Sequence, residues 1–304
     1  MCPDSAADVA ALRTAVLAWG RERFRDLPWR RTRDPWAVMV SEFMLQQTQV
    51  ARVVDRYGRF LDRFPDPAAC AAAPAAAVIE EWQGLGYNRR AINLHRAAQA
   101  ITADHGGSVP DTLEALVALA GVGPYTARAV LVFAYERDVG VVDVNVARLI
   151  ARWDGTERTP QARQRRADEL VPMGEAWAWT QALFDLGATV CRAGEPLCGL
   201  CPVQHLCSWA GQGPDPHVRG PGQSRFEGSD RQGRGRLVDA LRAGPVPPAE
   251  LARAAGWPSD PARAEIAAAG LVSDGLAVRL DDGTLALPGA DGPAEIGAEG
   301  GRQP

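Results

Sequence analysis

From Ser5 to about residue 210 the apolar residues return at helical spacing, and hardly any segment alternates apolar and polar in the manner of a strand. A chain patterned in this way buries its apolar surface by packing helix on helix, so an all-α body is expected. Ala-rich stretches strengthen this reading, because alanine favours helix and lets neighbouring helices approach closely. Helices are expected over 5–19 behind a Ser5 N-cap, within 37–64 and 67–84, and over 88–104, 111–119, 124–136, 143–152, 160–170 and 174–187. After the first helix, RERFRDLPWRRTRDPW breaks the period with Pro28 and Pro35 and places six arginines between positions 21 and 33. Taken alone, that run reads as a solvated loop. Residues 211–228 are dominated by Gly, Pro and polar side chains and read as a linker. Beyond them come three short helical units and then GLAVRLDDGTLALPG, two alternating runs around an Asp-Gly turn. That order predicts a small winged-helix-like domain over 229–289, with 290–304 a disordered tail.

The 304 residues are 46% hydrophobic, enough for a globular chain of two or three domains. No run of about 18 apolar residues occurs, so no membrane span is expected. The opening MCPDSAADVAALR lacks both a basic and an apolar signal region, which predicts a cytoplasmic protein. A net charge of -4 argues against indiscriminate binding to polyanions, so any nucleic-acid surface must be a local cluster of arginines. All 33 basic residues are arginine and none is lysine.

Four of the six cysteines, Cys191, Cys198, Cys201 and Cys207, fall within 17 residues as C-x6-C-x2-C-x5-C. In a reducing compartment this spacing indicates metal ligation rather than disulfides. Four thiolates can hold either a tetrahedral zinc or a [4Fe-4S] cluster, and the presence of one C-x2-C knuckle where zinc ribbons use two favours the cluster. With every ligand position filled by protein, the role expected of the site is structural.

Leu119-Ala120-Gly121-Val122-Gly123-Pro124-Tyr125-Thr126-Ala127 closes one helix and opens the next. Gly121 and Gly123 permit positive φ and close backbone approach, and the new helix offers free N–H groups at its positive end, which suits a phosphate. A plain helix–turn–helix corner asks for the same glycines. In GVVDVNVARLIAR, Asp143 stands where a helix N-cap is expected, a role that leaves it free for chemistry as well. Glu42, beside Phe43, Met44 and Leu45, is a candidate for a partly buried carboxyl with a raised pKa.

Together LPWR (27–30), SEFMLQQTQV (41–50), GLGYNRRA (84–91), LAGVGPYTARAV (119–130), VVDVNVAR (141–148) and the cysteine loop resemble the endonuclease III superfamily of helix-hairpin-helix DNA glycosylases. Within it they are most similar to the MutY-type adenine glycosylases, over about residues 5–210, and the short tail is like that of actinobacterial relatives. The resemblance implies two α-helical lobes. One is a six-helix barrel over 25–135 with the hairpin. The other is a cluster domain made by residues 1–24 with 136–210.

The resemblance also implies roles. Glu42 is the acid that protonates adenine N7, Asp143 the carboxylate that steadies the developing sugar cation, Asn145 its polar neighbour, and Tyr125 stands where lyases of the superfamily carry lysine. Gln46, Gln47, Thr48 and Tyr87 probe or wedge into the duplex, Gly121 and Gly123 hold a phosphate, and Trp29 and Arg30 belong to the adenine-pocket region. The expected partner is duplex DNA with adenine opposite 8-oxoguanine or guanine, bound by a monomer in the nucleoid, and the expected cofactor is a [4Fe-4S] cluster. Two motif positions depart from the family: Val144 replaces the usual glycine after the aspartate, and Ala120 the usual proline in the hairpin. Residues 229–289 are also too few and too helical for the β-rich, NUDIX-like domain that reads 8-oxoguanine in many relatives. Two other readings stand beside adenine excision: removal of thymine or uracil opposite guanine, and a non-catalytic DNA-binding protein.

Overall fold

The computed structural model describes residues 5–218, 220, 222 and 225–289. The tail expected to be disordered, 290–304, lies outside them. They fall into two compact units, Met1–Gln47 with Ser108–Gln223 and Thr48–Gly107 with Ser224–Pro304.

Among the described residues the regular elements of the first unit are all helices. It comprises α1 (Ala6–Arg23), α2 (Pro35–Leu45), and, after the excursion through the second unit, five further α-helices. Within the second unit lie α3 (Val50–Arg63), α4 (Pro67–Ala72), α5 (Ala75–Glu81) and α6 (Arg89–Asp104). The first unit then resumes with α7 (Leu113–Ala118), α8 (Pro124–Phe133), α9 (Val144–Asp154), α10 (Pro160–Leu170) and α11 (Ala176–Thr189). The second closes with α12 (Asp230–Ala243), α13 (Leu251–Ala254), α14 (Pro261–Ser273), β1 (Val278–Arg279) and β2 (Leu285–Ala286). Four of these helices begin with an Asp-Pro or Thr-Pro step. Asp34, Asp66, Thr159 and Asp260 each cap the backbone N–H three residues on, and the following proline, which lacks an N–H, takes a position where none is needed. Ser5 caps α1 in the same way, as its sequence context predicts.

In the first unit α1 packs on α11, α2 on α8, and α9 on both α10 and α11. Trp36 through Met44 are all buried, which is why α2 is apolar around its whole circumference rather than along one stripe. The arginine run at 21–33 is only in part the solvated loop that its composition suggests: Arg21, Arg23, Arg31 and Arg33 are exposed, Arg25 is half-buried and Arg30 is buried. Arg25 and Arg30 both clasp Asp185 of α11, which is 1% exposed, while Arg21 pairs with Glu175, Arg31 with Asp26 and Arg33 with Glu136. The guanidiniums that hold the buried Asp185 keep its carboxyl below the usual carboxylate range in spite of desolvation.

In the second unit α4 and α5 pack on α6, and α12, α13 and α14 pack on one another. The expected hairpin is present as an antiparallel pair, Val278 opposite Ala286 and Arg279 opposite Leu285, and Val246 bridges to Leu285 on its other side. Three helices and a short β element thus follow residue 229 in the order the sequence predicts.

Gly140 positions the strand-like run that delivers Asp143. Its N–H donates to Asp168 Oδ1 at 2.8 Å, its carbonyl accepts from Arg128 and Gln164, and a Cβ there would lie 2.6 Å from the Ala167 carbonyl carbon. Because the clash is with backbone, Gly140→Ala is expected to cost about 1–3 kcal/mol of stability. Denaturant melts that leave the midpoint unchanged would show that the contact relaxes freely.

Candidate active site and cysteine loop

α2 and α8 face each other, and this brings Glu42 to Tyr125. Glu42 is 4% exposed and hydrogen-bonded to the Tyr125 phenol, while its Oε2 has no partner among the described residues. Burial, with the nearby Asp143 charge adding to it, pushes the Glu42 carboxyl from 4.5 up to about 7. The same surroundings lift the Tyr125 phenol well above 10, so it stays protonated and donates.

Asp143 caps α9. Its Oδ1 accepts from the backbone N–H groups of Asn145 and Val146 at 2.9 and 2.7 Å, and its Oδ2 accepts from Asn145 Nδ2 at 2.8 Å. Burial raises its pKa, and these three donors together with Arg148 oppose the rise. The two carboxyls are therefore unequal. Glu42 has no backbone donor to steady an anion and is the better proton carrier; Asp143 has three donors and is the better anion. The helix-cap and chemical readings of Asp143 are compatible, since the donors that cap α9 are the ones that favour its charged form.

Arg148, 4% exposed, holds this arrangement from behind. It donates to Asn145 Oδ1 and to the Gly187 carbonyl, both at 2.8 Å, and through Nε to the Cys191 carbonyl at 2.8 Å. Gly187 on α11 is required at that point, because a Cβ would sit 2.6 Å from Asn145 Cβ. Arg148 and Gly187 were not singled out from the sequence. The arginine-for-helix spacing Asp143–Asn145–Arg148 is a usable signal, whereas Gly187 is 42 positions from Asn145 and gives none. Val144 is 74% exposed, so its extra bulk faces away from the buried carboxyls.

The hairpin lies between α7 and α8. Leu119 and Val122 are buried beneath it, Gly121 has φ +75°, and Gly123 caps α8 with open space where a Cβ would stand. Pro124 opens α8 and Tyr125 follows it, so one helix supplies both the free N–H groups and the phenol. Gln46, at the end of α2, donates to Thr126 Oγ1 at 3.2 Å, and Gln47 has a left-handed φ of 55°. Trp29 and Arg30 are turned inward, 8% and 9% exposed, with the Arg30 fork on Asp185 at 2.7 and 3.0 Å. Thr48 and Tyr87 belong to the second unit. There the buried Arg90 donates to Thr48 Oγ1 and to the carbonyls of Leu85 and Gly86, and Tyr87, 41% exposed, takes a left-handed φ of 46°.

Cys191, Cys198, Cys201 and Cys207 line a single small, partly open cavity, and all four are free thiols. Arg152 Nη1 lies 3.2 Å from Cys191 Sγ, and the Ala210 N–H points at Cys207 Sγ at 3.3 Å. Donors aimed at sulfur are what thiolate ligands call for. Among the described residues no three His, Cys, Asp or Glu side chains close tightly enough to hold a single metal ion.

Residues 40–173 match the family described as "HhH-GPD superfamily base excision DNA repair protein", which defines the class to which this fold and these carboxyls belong. An adenine DNA glycosylase of Mycobacterium tuberculosis is 45% identical, over 91% of this chain and 93% of its own length. That of Mycolicibacterium smegmatis is 41% identical over 90% and 95%, and the human one 40% identical over 66% of this chain and 40% of its own. Among solved structures, a thermostable thymine-DNA glycosylase superposes with a TM-score of 0.64 at 29% identity, over 67% of this chain and 96% of its own. Endonuclease III in a trapped DNA complex superposes at 0.59 and 22%, over 67% and 97%, which shows the fold. The chain belongs to the adenine DNA glycosylase family, and is a base-excision repair glycosylase.

A carboxyl that titrates near 4.5 unfolded and about 7 folded binds its proton more tightly in the native state, so stability falls as pH rises across that window. Glu42→Gln removes this titration. At pH 8 it is expected to gain stability on the order of 3 kcal/mol while losing about 10²–10⁴-fold in single-turnover base release. Melts at pH 4 and 8 alongside rate measurements check both halves; equal stability gains at the two pH values would contradict the buried-acid reading.

Proposed function

We propose that the protein hydrolyses the N-glycosidic bond of adenine paired with 8-oxoguanine or guanine in duplex DNA, leaving an abasic site. The observation that carries this reading is the Glu42–Tyr125–Asp143 set, a proton-bearing buried acid beside a hydrogen-bonded anion. Glu42 gives its proton to adenine N7, and the C1′–N9 electron pair leaves with the base. Asp143 is assigned as the anion that steadies the oxocarbenium-like sugar, and water then adds at C1′ with loss of a proton. The base must leave the stack to be reached. We assign Tyr87, Gln46, Gln47 and Thr48 to probing the duplex, Gly121 and Gly123 to a backbone phosphate, and Trp29 with Arg30 to the wall of the base pocket. Arg30 acts there through its hold on Asp185, since its fork is engaged.

No residue of the chain carries a lysine amine, so the Schiff-base route to strand cleavage lacks its nucleophile. Expected results are base release from A:8-oxoguanine and A:G duplexes in single turnover, and little borohydride-trapped protein–DNA adduct. The likeness to a thymine-DNA glycosylase makes thymine and uracil opposite guanine the controls that matter. Release of pyrimidine without adenine overturns the assignment.

We further propose that the four cysteines hold a [4Fe-4S] cluster. Four thiols around one cavity, donors aimed at the sulfurs of Cys191 and Cys207, and one C-x2-C knuckle where zinc ribbons use two favour a polynuclear centre over zinc. When bound, the cluster ties the loop to α9 and takes no part in base release. The purified protein is expected to be brown with bound iron, and Cys198→Ser to lose colour and thermal stability together; a colourless protein with one zinc per chain refutes this. We place the enzyme, as a monomer, with the DNA of the cytoplasm. Among the described residues no helix is long and apolar enough to cross a membrane.

A further inference from the structure

The segment after residue 229 builds most of an apolar core, and that core is continuous with α5 and α6. Leu237, Val238, Leu241, Leu271 and Leu285 belong to one continuous apolar cluster with Ala76 and Ile79 of α5 and Ile92 of α6. The Ala76 N–H donates to the Pro288 carbonyl at 3.0 Å, which ties the end of the β element to the start of α5. Removing the segment would strip the cover from three buried side chains of the helical layer, so it functions as part of that layer.

One side chain from this segment reaches the turn that carries Tyr87. Arg242 of α12 is 8% exposed, and its guanidinium donates to the Ile79 carbonyl from Nε and Nη2 at 3.2 and 3.0 Å. The same Nη2 donates to Asn88 Oδ1 at 3.0 Å, and Nη1 is anchored by Asp239 at 2.6 Å. Asn88 immediately follows Tyr87 and stands at the N-cap of α6, yet its side chain caps nothing there and accepts from Arg242 instead. Arg231 of the same helix reaches the Tyr87 hydroxyl at 3.4 Å, and Arg89 pairs with Asp274 at 3.4 Å.

The turn needs such support. Gly84 and Gly86 have φ of +85° and +69°, and Tyr87 itself has φ of +46°, an uncommon conformation for a residue with a Cβ. From the barrel side Arg90 holds the carbonyls of Leu85 and Gly86; from the other side Arg242 holds Asn88. Tyr87 thus projects from a left-handed turn pinned by two buried arginines, one of them supplied by the C-terminal segment.

We propose that the C-terminal segment 229–289 is a brace that fixes the Tyr87 turn for insertion into DNA, with Arg242 as its positioning residue. The inference rests on the assignment of Tyr87 to duplex probing made above, and not on which base is removed. A planar fork that serves two acceptors at once cannot be replaced by a single ammonium, which is why arginine is needed at this position.

The test uses the full-length chain and takes the ratio of the Kd for an intact duplex to the Kd for a duplex with a tetrahydrofuran abasic site. This ratio reports engagement of disrupted DNA whatever base the enzyme removes, so it is independent of the mispair panel. Arg242→Ala is expected to lower the ratio about tenfold, as loss of a buried charge-assisted contact does. Asn88→Ala removes the same contact from the other partner, and serves if Arg242→Ala melts early. Asn88→Asp keeps the acceptor oxygen and is expected to stay near wild type. Arg242→Ala combined with Tyr87→Ala is expected to be no worse than Tyr87→Ala alone, since the arginine acts through the tyrosine. Additive losses, or wild-type ratios for both Arg242→Ala and Asn88→Ala while Tyr87→Ala is impaired, overturn the brace. A wild-type ratio for Tyr87→Ala removes the probing assignment itself, and the brace with it.

Discussion

Three pieces of the first unit meet at the Arg148 guanidinium: the Asp143–Asn145 turn at the start of α9, the Gly187 backbone of α11, and the Cys191 carbonyl at the mouth of the cysteine loop. A buried cation costs free energy unless its donors are matched, and here each acceptor is itself fixed by a helix or by a ligand-bearing loop. The consequence is that Asn145, and through it Asp143, cannot shift without disturbing α11 or the loop. Rigidity of the anion follows from a charge–dipole network distributed over segments far apart in the chain.

The carboxyls that this network serves are held in unfavourable surroundings. Glu42 sits in the most apolar helix of the unit with an unpartnered oxygen, and Asp143 and Tyr125 are both titrated upward by burial. Environment alone separates the two acids: one is left without backbone donors, the other is supplied with two and with a third donor from the Asn145 side chain. Stability is given up so that a proton is available near neutrality, the usual relation between a strained site and the scaffold that supports it.

In the second unit the same logic appears in the backbone. A tyrosine with positive φ is retained directly after two positive-φ glycines because buried arginines satisfy the carbonyls and the side-chain amide around it. The all-arginine composition matters here as well as in the chemistry. Arg30, Arg90, Arg148, Arg152 and Arg242 are all largely buried, each serving several acceptors with a planar fork. The same absence of lysine that removes the Schiff-base nucleophile is matched by interior cations of the kind arginine fills well.

Much was legible beforehand. Helical period, Ser and Asp caps and the Asp-Gly turn located the elements within a few residues, because these signals are local: a cap and its N–H lie three positions apart, and a face repeats every turn. Cysteine spacing brought four thiols to one cavity for the same reason. What local signals do not carry is the identity of a partner far along the chain. In a run of six arginines in 13 positions nothing marks Arg30 as the buried one until Asp185 is placed against it, and residues 229–289 look like a separate module until their apolar faces meet Ala76, Ile79 and Ile92. The sequence by itself determined which side chains have the chemistry of base excision and that no amine is available to form a Schiff base. Only the tertiary structure decided which of the two carboxyls keeps its proton: the donors to Asp143 are local to the start of α9, but the burial of Glu42 and its place beside Tyr125 depend on α2 packing against α8.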